Sequence, residues 1–413
     1  MMNELYKNEI NEILEILGEN LDISESQYKA AVKSYEAVGD WLSKESSTLY
    51  PYSPRIIPQG SFMLGTITRP INDEDDIDID LVCKLNGKPS HWTQKHLKDA
   101  VGDRLKEYSV YKEMLESLDG GRRCWTLEYS DEANYHLDIL PSISDKNFTV
   151  LLNESFNNYQ NLDADKLAIR ITDKEDLFYS VMTHTEWWRK CNPFGYAKWF
   201  FQRAIYSSTK MFALNESVDP VRPFQKEKMP LQRVVQLLKR HRDIMFSSDE
   251  YDSENKPISI IITTLASKAY DKSENIVDAY VNIVSKMRSY IETRLNAKTG
   301  QYERWVSNPI NNEENFADKW SEVAQKEEYF YAWLDKLEED LATIQYGQNK
   351  GLFSLNESLS AQYGNRVVNK VFAEYGEKNK ILRENGLRKM AVGTGMLGSI
   401  GKSIPNHNFE GNI

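Results

Sequence analysis

Apolar positions near the N-terminus recur with the period of a helix. Leu5, Ile10, Ile13, Leu14 and Leu17 share one face, and the pattern predicts a helix ended by Gly18. A second helix is expected behind the capping box Ser24-x-x-Gln27, with Tyr28, Ala31, Tyr35, Val38 and Leu42 at helical spacing. The prolines of SSTLYPYSPRIIP then interrupt the period. From Ile57 to Ile143 the texture changes to strands around one helix. IDIDLVCKL is the first clear strand and HWTQKHLKDAVGDRLKEY the helix. RRCWTLEY and NYHLDILPSI are two more alternating runs, joined through SDEA by a hairpin-type connection. Beyond about residue 165 the chain reads as mostly helical to 390, with loops expected at CNPFGY, DPVRPFQKEKMP and SNPINNEEN.

Helices, then a small mixed sheet, then a long helical region predict an α+β fold. The expected division is 1–165 for the N-terminal helices and sheet, 166–390 for a helical lobe, and 391–413 for a flexible Gly-rich tail. A site is expected in a cleft between the two lobes.

Composition narrows the function classes. With 413 residues, 40% hydrophobic and 27% charged, the chain can bury a full core. A net charge of −11 argues against a surface built for long nucleic acid, which rewards Lys and Arg. Cys83, Cys124 and Cys191 form no CxxC pair, so neither a disulfide framework nor a zinc knuckle is supported. The longest apolar run, ISIIITTLA, is too short to span a bilayer, and the acidic, amphipathic N-terminus is unlike a secretory signal. A cytoplasmic protein without membrane contact is expected.

Three elements carry the candidate chemistry. Gly60-Ser61 sits at a turn or helix start, where glycine admits close approach of a phosphate and Ser61 can donate to its oxygens. Asp76, Asp78 and Asp80 alternate with Ile77, Ile79 and Leu81, stacking like charges about 7 Å apart along one strand face. Asp138 stands in the otherwise apolar strand YHLDILPSI, where a buried salt bridge or a cation would satisfy it equally. Carboxylates from two adjacent strands suit a pair of Mg²⁺ ions about 3.5–4 Å apart. Beside a phosphate-gripping turn, that set suits in-line attack of a hydroxyl on the α-phosphate of a nucleoside triphosphate, with pyrophosphate leaving.

The combination QGSFMLGTITRP, DIDLVC and YHLDILPSI resembles the DNA polymerase β-like nucleotidyltransferases. Within them it is most similar to the bacterial CD-NTases, relatives of oligoadenylate synthetase and animal cyclic GMP-AMP synthase. SYEAVGDWL, CNPFGYAKWF, PLQRVVQLLKRHRDIMF, ISIIITTLA and NPINNEENFADKW extend the resemblance over most of residues 28–320. It implies a nucleotidyltransferase core packed on a helical lobe that completes the nucleotide cleft. The implied reaction joins two nucleoside triphosphates, ATP and a second one, into a cyclic dinucleotide that activates an effector in anti-phage defence.

Position by position, the resemblance puts the family's metal-binding pair on Asp78 and Asp80 and its third ligand on Asp138. Asp76 is then an extra carboxylate, with Asp76 and Asp78 as the alternative pair. Gln59, Gly60 and Ser61 match the phosphate turn, and Lys239 and Ser259 match the lysine and serine that hold the donor triphosphate. Sixteen residues separate Ser61 from Asp78, more than in compact members of the family, and INDEDD makes the excess acidic.

Other residues carry less. The six histidines form no HExxH or Cys/His cluster; His136 is given a structural or orienting role, and Asp138 that of the base. Trp187, Trp188, Trp199, Phe200 and Phe201 read as core, while Phe194 or Tyr196 is a candidate base-stacking residue. Arg122 and Arg123 are either phosphate contacts or a surface pair. The ending NHNFEGNI resembles tails joined to a ubiquitin-like conjugation partner, although Gly411 is followed by Asn412 and Ile413. Rival readings are nucleotide transfer to an RNA end or a protein, and a catalytically silent nucleotide-binding scaffold.

Overall fold

The structure, a computed structural model, describes residues 2–72, 75–129, 134–144, 164–207, 224–296, 300–347, 350–390, 397–398 and 402. The alternating runs become strands of a six-stranded mixed sheet. It holds β1 (Arg55–Pro58), β2 (Ile77–Leu85), β3 (Trp125–Tyr129), β4 (Tyr135–Ile143), β5 (Ile169–Ile171) and β6 (Lys190–Cys191), in the order β1-β2-β4-β5-β6 with β3 also beside β4. β2 and β4 run parallel along their full length, and the other pairings are antiparallel. The expected hairpin partners β3 and β4 do pair, although their connection lies outside the described residues.

Alternation sends Ile77, Ile79 and Leu81 of β2, Leu137 and Ile139 of β4, and Trp125 and Leu127 of β3 into one core. Helices α1 (Glu4–Leu21) and α2 (Glu25–Leu42) follow the predicted apolar faces, and α2 opens with the expected Ser24–Gln27 capping box. Tyr35, Val38 and Leu42 of α2 meet that core, as do Leu97, Val101 and Leu105 of the helix Gln94–Lys106. Each fully buried side chain of this kind contributes about 1.5–3 kcal/mol, and a one-residue slip of a strand would turn that strand's inward set outward. The Trp125 indole N–H donates to the Lys98 carbonyl at 2.9 Å, and Gly102 leaves the ring room against the helix backbone.

The chain divides into two compact units. A sheet unit comprises Ile23–Gln232 and Ser307–Phe316; a helical unit comprises Met1–Asp22, Arg233–Val306 and Ala317–Ile413. These boundaries differ from the expected cut near residue 165. β5 and β6 extend the sheet well beyond that point, and α1 packs on the helices Asn365–Glu384 and Ile276–Met287 of the helical unit. Nor does α1 stop at Gly18. It runs to Leu21 because Gly18 makes room for Arg233, whose Nη1 donates to the Gly18 carbonyl and to Asp22 Oδ2, both at 2.8 Å. Among the described residues no helix is long and apolar enough to cross a membrane. The expected flexible tail, 391–413, lies outside the described residues except for 397, 398 and 402.

Candidate active site

The second face of the sheet unit carries polar groups in two cross-strand rows. Asp80 on β2, Asp138 on β4 and Thr126 on β3 stand side by side in one row, and Asp78, His136 and Glu128 in the next. Neighbouring strands lie about 4.8 Å apart, so Asp80 and Asp138 place two carboxylates against each other, an arrangement that favours a cation between them. Thr126 donates its hydroxyl to Asp138 Oδ1 at 2.6 Å. Burial pushes the Cys124 thiol up to about 12, helped by the charges of Asp138 and Asp80, so this cysteine also lies within the field of the pair.

Asp76 has a different partner. Its Oδ2 lies 2.8 Å from His136 Nε2, just ahead of β2, whereas Asp80 is the residue in register with Asp138. Asp76 and His136 are thus partners of each other, beside the Asp80–Asp138 pair.

The phosphate turn is built onto β2. The Gln59 N–H donates to the Asp80 carbonyl at 2.8 Å, and Gln59 caps a short helix, α3 (Gly60–Leu64). Gly60 has φ +58°, and a Cβ there would fall on the Asp80 carboxylate. Glycine is therefore required for its backbone conformation and for its closeness to the acid. Ser61 follows on α3, anchored by the Phe62 ring stacked at 4.8 Å on Tyr28. Gln232 ties down the far end of α3, its Nε2 donating to the Leu64 carbonyl at 2.8 Å.

Within the sheet unit, then, Gln59, Gly60, Ser61, Asp78, Asp80 and Asp138 share one neighbourhood around β2. Lys239 and Ser259 belong to the helical unit. Lys239 is buried on the helix Pro230–Met245, and Ser259 opens the helix Ser259–Ala269, its Oγ accepting from Arg242 Nη1 at 2.9 Å. Ser259 is not that helix's cap, which is Ile258.

Other candidates have structural duties. Arg122 grips Asp173 through two hydrogen bonds of 2.7 and 2.9 Å, and Arg123 adds a third at 2.9 Å. Burial raises the Asp173 carboxyl, but these guanidinium bonds outweigh it and hold the group at about 2. CNPFGY runs from the end of β6 into the helix Pro193–Ala204 rather than forming a loop, because Asn192 caps that helix and Pro193 suits its first position. Phe194 is fully buried and Tyr196 nearly so, which leaves neither ring as a stacking platform; Phe200 and Phe201 are core as expected. Trp188 is buried, but Trp187 is exposed, contrary to the core reading.

Among the described residues no three His, Cys, Asp or Glu side chains form a ready cage for a metal ion. Asp78 lies one row away from the Asp80–Asp138 pair, about 7 Å along the strand. The donor set nevertheless suits Mg²⁺, which takes one or two carboxylates and completes its shell with water and substrate phosphates. Thr126 and Glu128 escaped the sequence reading. The signal for them was the alternation of RRCWTLEY, which already put both on the face opposite Trp125 and Leu127.

Known proteins fit this geometry. Residues 54–141 match the family model described as cyclic GMP-AMP synthase DncV-like, nucleotidyltransferase domain. Over 400 residues the chain is 27% identical to a c-di-GMP synthase of Roseivirga ehrenbergii, covering 97% of this chain and 96% of that relative. It is 24% identical over 385 residues to the cyclic dinucleotide synthase CdnG of Bradyrhizobium diazoefficiens, covering 89% and 84%. The fold matches the structure of the Bradyrhizobium diazoefficiens CD-NTase CdnG in complex with GTP at TM-score 0.64, with 23% identity, over 88% of this chain and 97% of that one. It matches E. coli MS115-1 CdnC with ATP at TM-score 0.54, with 15% identity, over 86% and 96%. Residues 54–141 thus match a nucleotidyltransferase domain, and along nearly its whole length the chain is similar to bacterial cyclic dinucleotide synthases.

Proposed function

We propose that this protein is a CD-NTase that condenses two nucleoside triphosphates into a cyclic dinucleotide and releases pyrophosphate. The observation that carries the reading is the in-register pair Asp80–Asp138 with the Gly60 turn pressed against it. In each step a ribose hydroxyl oxygen bonds to an α-phosphorus, the bond to the bridging oxygen breaks, and its electron pair leaves with pyrophosphate. Asp138 takes the hydroxyl proton. The backbone of Gln59 to Ser61 and the Ser61 hydroxyl receive phosphate oxygens. Two Mg²⁺ ions held by Asp78, Asp80 and Asp138 would acidify the attacking hydroxyl and neutralise the leaving group. One site serves both bonds, the linear intermediate turning over between them.

Beside the expected pair of ATP and a second nucleotide, the relatives support GTP as a substrate. A relative that shares 27% identity along nearly the whole chain is a c-di-GMP synthase, and the CdnG structure is a complex with GTP. A cytoplasmic setting fits nucleoside triphosphate substrates, and in this reading the product acts on an effector in anti-phage defence. Conjugation of the tail to a ubiquitin-like partner concerns residues outside the described set and stays part of the proposal.

Incubation with each ribonucleoside triphosphate and Mg²⁺, followed by mass spectrometry, tests the reading. A phosphatase-resistant cyclic dinucleotide containing guanine is expected. Label retained on protein or RNA, or no pyrophosphate release at all, overturns it.

A further inference from the structure

We infer that Thr126 is a positioning residue, its hydroxyl fixing the Asp138 carboxylate for nucleotidyl transfer. The inference rests on the function proposed above and assigns a third strand a part in it. Thr126 stands directly opposite Asp138 in the β3–β4 register and donates to Oδ1 at 2.6 Å. That short bond ties up one oxygen and sets the plane of the carboxylate, while Oδ2 keeps its acceptor capacity.

The hydroxyl is delivered from a fixed place. Threonine is β-branched and stiff at χ1. Its backbone is held on one side by β4 and on the other by the Glu116 N–H, which donates to the Thr126 carbonyl at 3.1 Å beside the Leu115–Leu127 bridge. Its neighbours Trp125 and Leu127 are buried at 2% and 0% exposure, so β3 cannot slide without uncovering them. Thr126 and Asp138 themselves are half-buried on the polar face, where water can satisfy either group. The bond is therefore placed to orient an acid rather than to hold the core. Hydrogen-bond partners of metal-binding side chains typically alter metal affinity or activity about 10–100-fold when removed.

The test compares Thr126→Val, which keeps the shape and loses the hydroxyl, with Thr126→Ser, which keeps the hydroxyl. Pyrophosphate release gives kcat and KM. Mn²⁺ titrated with a non-hydrolysable GTP analogue, followed by water proton relaxation, gives a readout without turnover, and thermal unfolding monitors the fold. The expected result for Thr126→Val is a kcat lower by about 10–100-fold at little-changed KM, with weakened Mn²⁺ binding. Thr126→Ser recovers both, and unfolding temperatures stay close to that of the native protein. If Thr126→Val keeps native kcat and Mn²⁺ binding, or if Thr126→Ser is as impaired as the valine variant, the inference falls. Failure of the native protein to release pyrophosphate would instead count against nucleotidyl transfer itself.

Discussion

Replacing Gly60 by alanine separates the turn's two physical requirements. The first is conformational: Gly60 has φ +58°, and an L-residue in that left-handed region costs about 1–2 kcal/mol. The second is steric. The new Cβ would lie on Asp80 Oδ2, 3.2 Å from its Cγ and 3.4 Å from its Cβ. Restoring ordinary contact, about 3.5 Å or more, requires the carboxylate to move by about 1 Å. A misplacement of that size in a reacting assembly costs about 100-fold in rate, or about 2.7 kcal/mol of barrier. Gly60→Ala should therefore lose about 1–2 kcal/mol of stability in urea unfolding and about 100-fold in kcat for pyrophosphate release. Gly386→Ala supplies the control. Gly386 has φ +71°, with nothing within 4 Å of the added methyl, so the backbone penalty returns without displaced chemistry. Native kcat in Gly60→Ala would refute the close-approach argument. Equal activity losses in both variants would refute the claim that the effect is local.

Three further outcomes follow from the same structure. Asp80→Asn and Asp138→Asn should each lower pyrophosphate release by about 10²–10⁴-fold, and Asp76→Asn should leave it nearly intact, since its pair with His136 is a partly exposed one worth about 0–1 kcal/mol. If Asp76→Asn matches Asp80→Asn in an activity assay, the assignment of Asp76 to His136 is wrong. The folded Asp173 carboxyl at about 2 lies below its ordinary 3.8, so its contribution to stability is present above that ordinary value and is lost as pH falls toward 2; denaturant midpoints across this range should flatten in Asp173→Asn. Asp22→Ala should cost about 3–5 kcal/mol in urea unfolding, because it strips buried Arg233 of its carboxylate and also a hydrogen bond from Gln236. A loss below 1 kcal/mol there would mean that water takes over the arginine.

How much of this was legible in the chain itself differs by feature. The strand pair and its two faces were, because IDIDL and YHLDI alternate at the start of each strand and a period of two separates core from solvent. The row partners were not. Sliding β2 by two residues would set Asp78 beside Asp138 and leave every side chain on its face, so alternation alone does not distinguish the registers. Arg122 and Arg123 read as a basic pair because Asp173, fifty-odd residues away, gives no local sign of answering them. Gly18 read as a stop because local propensity weighs a mid-helix glycine against the helix, and the compensating Arg233 comes from a distant segment. The division into units was hidden for a similar reason: Ser307–Phe316 returns to the sheet unit from within a helical stretch.

Ile79, Leu81, Leu137 and Ile139 flank the acids along their strands while facing the opposite way. Each of the proposed catalytic acids thus shares its backbone with two anchors of the interior. A methylene too many beneath the sheet tilts an acid above it, and tinkering with an acid disturbs the interior in return. Drift toward a new product has little room on these strands, so novelty in this lineage has to be written into the helices and connections that surround them.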